Sequence, residues 1–249
     1  MTATDARPHG FLEADLVRRY GPHADQWVEL WNPDARALTG SPGTVVLIHG
    51  GYWRAPYTAE LMRPLVPQFT ARGWTVGNIE YRRGADGWGA LRDDLASALT
   101  AIRAEGPTSR LALVGHSVGG QLALLGGEAG DAVVALAPVT DVVRSYHEGV
   151  GTGAAAEFFR GAPDELPDTY AAASPLAQGP PPAEVLIIHG TDDARVPIAH
   201  THAYLEAARE AGGTVTLVEP PHLAHMDAIA PEAPHFAAVH ECLDRWAER

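Results

Sequence analysis

Cysteine is nearly absent from this chain. A single thiol, Cys242, excludes an internal disulfide and fits a reducing compartment, and within the helical pattern HFAAVHECLDRWAE it reads as a packed side chain rather than a nucleophile. Long apolar runs are missing as well. Nowhere do about 18 consecutive apolar residues occur, so no membrane-spanning helix is expected. The opening MTATDARPHGFLEADLVRRY has no basic stretch leading into an apolar one, so no secretory leader is expected and a cytoplasmic location follows. Positive charge is scarce: 18 Lys and Arg stand against 31 Asp and Glu, a formal net charge of −13 that would repel a phosphate backbone. Neither nucleic acid nor membrane is an expected partner. No HExxH or comparable ligand spacing appears, so no metal is expected, and no sequence feature calls for a cofactor.

What is present alternates. Apolar, strand-like runs at 26–31, 44–49, 74–80, 111–114, 132–137, 185–189 and 215–219 are separated by helical patterns at 58–71, 91–104, 117–126, 198–211 and 234–247. That rhythm predicts an α/β fold, a mostly parallel central sheet flanked by helices, with 26–31 as an edge strand. With 249 residues the chain can bury one sizeable core, so a single domain spanning 1–249 is expected. The GPPP at 179–182 reads as a loop within it. From about 140 to 173 the return to the sheet is too long for a plain connection, which predicts a lid-like insertion. Its aromatics Tyr146, Phe158, Phe159 and Tyr170 would either face a substrate or pin the insertion to the domain.

The segment 111–121, LALVGHSVGGQ, ends an apolar run in GxSxG and predicts a nucleophile elbow. A strand turning sharply into a helix would expose Ser117 above the sheet, with small neighbours leaving room for the turn. The alternative, a phosphate-cradling glycine loop, lacks the P-loop Lys and Ser/Thr and does not fit GxGxxG. Chain order adds weight, because an acid and then a histidine should follow the serine near the ends of later strands. Asp193 follows the run EVLIIH and His225 follows TVTLVE, giving the order Ser117, Asp193, His225. Asp192 and Asp141 are the alternative acids, and His222 the alternative base. HGGYWR at 49–54, after the strand TVVLIH, predicts an oxyanion loop whose N–H donor is that of Gly51 or Tyr52, with the Val118 N–H as the second. His49 would brace that loop. Tyr52 and Trp53 would wall the pocket or belong to the core.

HGGYWR, GHSVGG, NIEYRR at 78–83, ASPL at 173–176, HGTDDARVP and HMD at 225–227 together resemble the kynurenine formamidase-like branch of the α/β-hydrolases. The similarity runs through nearly the whole chain, including YGPHADQWVELWNP. It implies Ser117 as nucleophile, Asp193 as acid and His225 as base. Two departures stand out: Val118 replaces a more usual Ala, with an expected effect on pocket shape, and HMD replaces HFD. The resemblance implies a serine hydrolase cleaving an aryl formamide, as in N-formylkynurenine. A small carboxylesterase is the alternative, and a non-catalytic ligand receptor on the same fold a second one. Trp53, Tyr146, Phe158 and Phe159 are the expected substrate contacts. A small-molecule substrate is the expected partner, and homodimerisation is compatible with the sequence.

Overall fold

A computed structural model describes residues 13–33, 42–105 and 109–249. Residues 1–12, part of the stretch read for a leader, lie outside the described residues. Eight strands form one sheet: β1 (Leu16–Arg19), β2 (Trp27–Trp31), β3 (Thr44–Ile48), β4 (Thr75–Glu80), β5 (Leu111–His116), β6 (Ala132–Leu136), β7 (Glu184–Ile188) and β8 (Val215–Val218). Their spatial order is β1-β2-β4-β3-β5-β6-β7-β8. The β1/β2 and β2/β4 pairs are antiparallel and the rest parallel. The 26–31 strand is therefore not at the edge. β1 flanks it, and all four residues of β1, LVRR, are exposed, so no alternation of apolar and polar residues marked it as a strand.

Period-two alternation divides the strand side chains between two cores. Val46, Ile48, Leu111, Leu113, Val133, Val185 and Ile187 face one side of the sheet, and Val45, Leu47, Ala112, Val114, Val134, Leu186 and Ile188 the other. The helices in chain order are α1 (Val66–Thr70), α2 (Gly87–Glu105), α3 (Val118–Gly126), α4 (Val142–His147), α5 (Val150–Phe159), α6 (Pro167–Ala173), α7 (Pro175–Gln178), α8 (Ile198–Glu210) and α9 (Phe236–Ala247). Buried residues of α2, α3 and α5 join the first core, and those of α1 and α9 the second. Cys242 is buried in that second core, and burial raises its thiol pKa. Among the described residues no helix is long and apolar enough to cross a membrane.

The helix expected over 58–71 is broken into 3-10 turns at Ala59–Leu61 and Arg63–Leu65 followed by the five-residue α1. Pro64 and Pro67 each remove a backbone donor and crowd the preceding turn, which shortens the helix. Between β6 and β7, the long connection forms α4 to α7 and is built of helices rather than loop.

Register aligns the carboxyl ends of the central strands. Ile48 pairs with Gly115, His116 with Leu136, Leu136 with Ile188, and Ile188 with Val218. The loops that follow these strands therefore emerge side by side, where open parallel sheets carry their sites. At the opposite end Asp131, almost wholly buried, ties β5 to β6. Its carboxylate accepts from the Leu111 N–H at 2.9 Å, the Glu128 N–H at 3.0 Å and the Arg103 guanidinium at 3.0 and 2.5 Å. Asp131→Ala should lower unfolding free energy by about 2–3 kcal/mol, because it strands these donors in a largely buried setting. Urea denaturation measures this, and an unchanged midpoint would show that the clamp is idle.

Candidate active site

Ser117 sits between β5 and α3 with φ 58° and ψ −117°, a left-handed φ that costs a non-glycine residue about 1–3 kcal/mol. Neighbouring backbone holds it there. Its N–H donates to Leu136 O at 2.9 Å, and its carbonyl accepts from Gln121 N at 3.0 Å and Val139 N at 3.2 Å. A Cβ on Gly119 would lie 1.9 Å from Ile48 O, so only glycine lets α3 press against the end of β3. A Cβ on Gly50 would come within 2.8 Å of Ser117 Cβ, so the loop after β3 runs directly beside the serine.

Asp193 and His225 meet across two loops. His225 Nδ1 donates to Asp193 Oδ2 at 2.7 Å, because a carboxylate only accepts, and this bond selects the tautomer of the neutral ring whose lone pair is on Nε2. The other oxygen, Oδ1, accepts from the N–H groups of Arg195 at 2.8 Å and Val196 at 2.9 Å. His189 Nε2 lies 3.3 Å from Oδ2. Burial pushes the Asp193 pKa up, but the bonds from His189, His225 and the Val196 N–H outweigh it and hold the carboxyl well below the usual range. The alternatives are occupied elsewhere. Asp192 pairs with His222 at 3.1 Å on the surface, and Asp141 caps α4 by accepting from the Arg144 N–H at 2.9 Å.

Ser117, His225, His116, Gly51, Tyr52, Tyr57, Leu61, Arg195 and Met226 line one cleft of about 250 Å³. Gly51, Tyr52 and Trp53 have successive positive φ values of 123°, 56° and 55°. Among the described residues neither the Gly51 nor the Tyr52 N–H donates within the chain, and Val118, at the first position of α3, has no intrahelical acceptor for its N–H.

Beneath the loop lies a buried ionic hub. Glu80 Oε1 stands 3.0 Å from His49 Nε2 and 2.5 Å from Arg83 Nη1, while Oε2 accepts from the Ala59 N–H at 3.0 Å. His49 Nδ1 meets Gly50 O at 2.7 Å, its ring stacks on Tyr81 at 4.3 Å, and the Tyr81 hydroxyl donates to His49 O at 2.6 Å. Burial raises the Glu80 pKa, yet His49, Arg83 and the Ala59 N–H prevail and lower it. His49 thus braces the loop. Glu80 and Arg83 went unassigned from the sequence, although NIEYRR was the signal that carried them.

Several expected contacts lie elsewhere. Trp53 is buried, donates its indole N–H to Gln121 Oε1 at 3.1 Å and stacks on Phe158 at 5.6 Å. Phe159 packs on Trp53, Phe158 and Tyr170. Tyr146 is half-buried against Tyr170 at 5.8 Å. None of Trp53, Tyr146, Phe158 and Phe159 lines the cleft with Ser117, because their rings find each other and form the seam that pins the insertion to the core. The Val118 side chain is also buried in that core, so it does not shape the cleft. Met226, by contrast, does line it. Tyr57, Leu61 and Arg195 were not foreseen, since each comes from a loop whose approach only the fold specifies.

His116 is buried under His225, its Nε2 2.9 Å from the carbonyl of His225 and its ring 4.6 Å from that of His225. Burial, reinforced by His225, depresses its pKa to about 3. The native residue thus refuses a proton that the unfolded chain accepts near ~6.5. Between those values the unfolded state binds more protons, so stability falls as pH falls, by up to about 1.4 kcal/mol per unit from this residue. Urea midpoints at pH 7, 6 and 5 should show a steeper decline in the wild type than in His116→Asn. Equal slopes would show that His116 is protonated alike in both states.

The sequence profile of the Prolyl oligopeptidase family matches residues 82–247. Esterase LipQ of Mycobacterium tuberculosis is 27% identical over 237 residues, covering 83% of this chain and 55% of that protein, so the chain spans about half the length of this curated relative. Among solved structures, a truncated carbohydrate esterase from gut microbiota superimposes with a TM-score of 0.77 at 18% identity, over 94% of this chain and 95% of that one. Thermogutta terrifontis esterase 2 with bound propionate gives 0.67 at 22% identity, over 94% and 92%. Taken with the eight-stranded, mostly parallel sheet and its flanking helices, these matches mean that the chain has the α/β-hydrolase fold and belongs to the prolyl oligopeptidase family.

Proposed function

We propose that the protein is a serine hydrolase of carboxylesterase type, acting on small acyl esters through Ser117, His225 and Asp193. The observation that carries this reading is the 2.7 Å bond from His225 Nδ1 to an ionised, buried Asp193 in the same site as a strained, cleft-lining Ser117. Ser117 Oγ attacks the ester carbonyl while His225 Nε2 takes its proton, and Asp193 fixes the tautomer and stabilises the imidazolium. The developing oxyanion is met by the Val118 N–H and that of Gly51 or Tyr52. The alcohol leaves with the proton from His225, and water repeats the sequence to free the acid. Likeness to Esterase LipQ supports an ester substrate.

A second reading, hydrolysis of an N-formyl aromatic amine, is favoured by HGGYW and by a cleft in which Tyr52 and Tyr57 flank the serine. A formyl group needs almost no acyl space. Comparing kcat/KM for p-nitrophenyl acetate with that for N-formylkynurenine separates the two readings, and the esterase reading expects the acetate to be preferred. A cleft of about 250 Å³ is small for a ligand site, so acetate and butyrate esters should exceed the decanoate by about tenfold or more.

A fluorophosphonate should label Ser117 in the wild type and fail to label Ser117→Ala, which should also lose several orders of magnitude in turnover. Absence of labelling in folded wild type would favour a ligand receptor. Asp193→Asn should lower kcat by about 10³- to 10⁴-fold by disturbing the tautomer, whereas Asp192→Asn should stay within about twofold. A reversed order in the two rates would transfer the acid role to Asp192.

A further inference from the structure

The head of α5 has an unusual backbone. Gly149, Gly151, Thr152 and Gly153 have φ of 65°, 64°, 59° and 79° with ψ of 29°, 34°, 45° and 26°, all left-handed. They form a single turn, closed by the Gly153 N–H donating to Gly149 O at 3.1 Å, and the right-handed helix runs on from Ala154. Such a φ is rare for a β-branched residue like Thr152, and a stretch that holds one is kept there by its surroundings. Three glycines ease the turn, but they do not stand in equivalent places. A Cβ on Gly149 or Gly153 would meet nothing within 4 Å, whereas a Cβ on Gly151 would lie 2.2 Å from Tyr52 Cδ1 and 2.3 Å from its Cε1.

Tyr52 lines the cleft that holds Ser117. The insertion backs its ring twice, through the bare backbone of Gly151 and through Arg54. The Arg54 guanidinium lies 5.6 Å from the ring centre, and its Nε and Nη2 reach Glu157 Oε2 in α5 at 2.8 and 2.7 Å. A small hollow of about 130 Å³ that Tyr52 also borders is lined by Arg54 and Glu157, so movement that way would have to displace a charged pair. The larger open space is the cleft itself, about 250 Å³. Two carbons pack at about 3.5–4.0 Å, so a side chain at position 151 would drive the ring about 1 Å or more into the cleft.

We propose that Gly151 is a positioning residue for substrate size: acting through Tyr52, it sets how large a group the cleft admits beside Ser117. This rests on the serine-esterase reading above. The insertion then limits the substrate without touching it, which accords with Trp53, Phe158 and Phe159 packing on one another and not lining the cleft. In so small a cleft a ring movement of about 1 Å takes away room on the scale of a methylene group, and one methylene in an apolar pocket changes kcat/KM by about tenfold or more.

The test measures kcat/KM for p-nitrophenyl acetate and butyrate, and for phenyl and 1-naphthyl acetate, so that size is varied on each side of the ester carbonyl. In Gly151→Ala the ratio of larger to smaller ester should fall by about tenfold in the pair whose variable group lies against Tyr52. Gly149→Ala and Gly153→Ala put alanine at the same left-handed φ without touching the ring, so both ratios should stay within about twofold of wild type's. Tyr52→Ala removes the wall, and adding Gly151→Ala to it should change neither ratio further. Because each ratio is read within one variant, a general loss of activity cancels. Unchanged or raised ratios in Gly151→Ala, an equal fall in Gly153→Ala, or a fall that persists in the Tyr52→Ala background overturns the inference. Should Gly151→Ala fail to fold, adding Tyr52→Ala should restore folding by removing the clash, and failure to do so overturns it as well. If wild type cleaves none of these esters and Ser117 takes no fluorophosphonate, the esterase reading itself falls and this inference with it.

Discussion

Backbone pressed against backbone at the turn after β5 is the contact from which the rest of the site is built. Gly119 lets the first turn of α3 rest on the carbonyl end of β3, where any side chain would collide with Ile48 O. The same approach leaves Gly50 against Ser117 and holds the serine at its left-handed φ. Two loops from neighbouring strands are thereby fixed within a van der Waals radius or so of each other. Strain at Ser117 persists because bonds to Leu136, Gln121 and Val139 surround it on all sides.

The loop after β3 has a second support of a different kind. Its three consecutive positive φ values would relax without an anchor, and the anchor is the buried hub of Glu80, His49, Arg83 and Tyr81. Burying a carboxylate is costly, and here three sets of donors offset that cost. The insertion adds a further brace, since Trp53 joins α5 through Phe158 and α3 through Gln121. Gln121 in turn donates to Ala173 O at 2.6 Å at the end of α6. The aromatic rings of the insertion thus serve the loop from behind rather than the substrate from the front.

Electrostatics partition the acid loop in the same economical way. Adjacent Asp192 and Asp193 make equivalent pairs with histidines, yet one pair is exposed to water and the other is buried. In water such a pair is worth little and is easily exchanged, while under burial it holds a single geometry. His116, kept neutral below His225, adds no positive charge beside that ring.

Much of this was written in local sequence. Strand runs, the GxSxG turn and the order Ser117, Asp193, His225 depend on short-range patterning and on residues placed just beyond strand ends, which a single sequence displays directly. The bond between Asp193 and His225 could be anticipated from that order, because both follow strands of one parallel sheet. Tertiary structure alone decided the remainder. β1 left no trace in sequence because its residues are exposed on both faces and gain their strand geometry only by pairing with β2. Proline positions hinted at the broken helix before β4, but packing set where its turns lie. Trp53, Phe158 and Phe159 are large and apolar in sequence whether they meet a substrate or one another, and only the docking of α5 chose between these. Arg195 and Met226 reach the cleft because loops distant in the chain converge there, and burial, pairing and convergence are properties of neighbours in space that no linear spacing records.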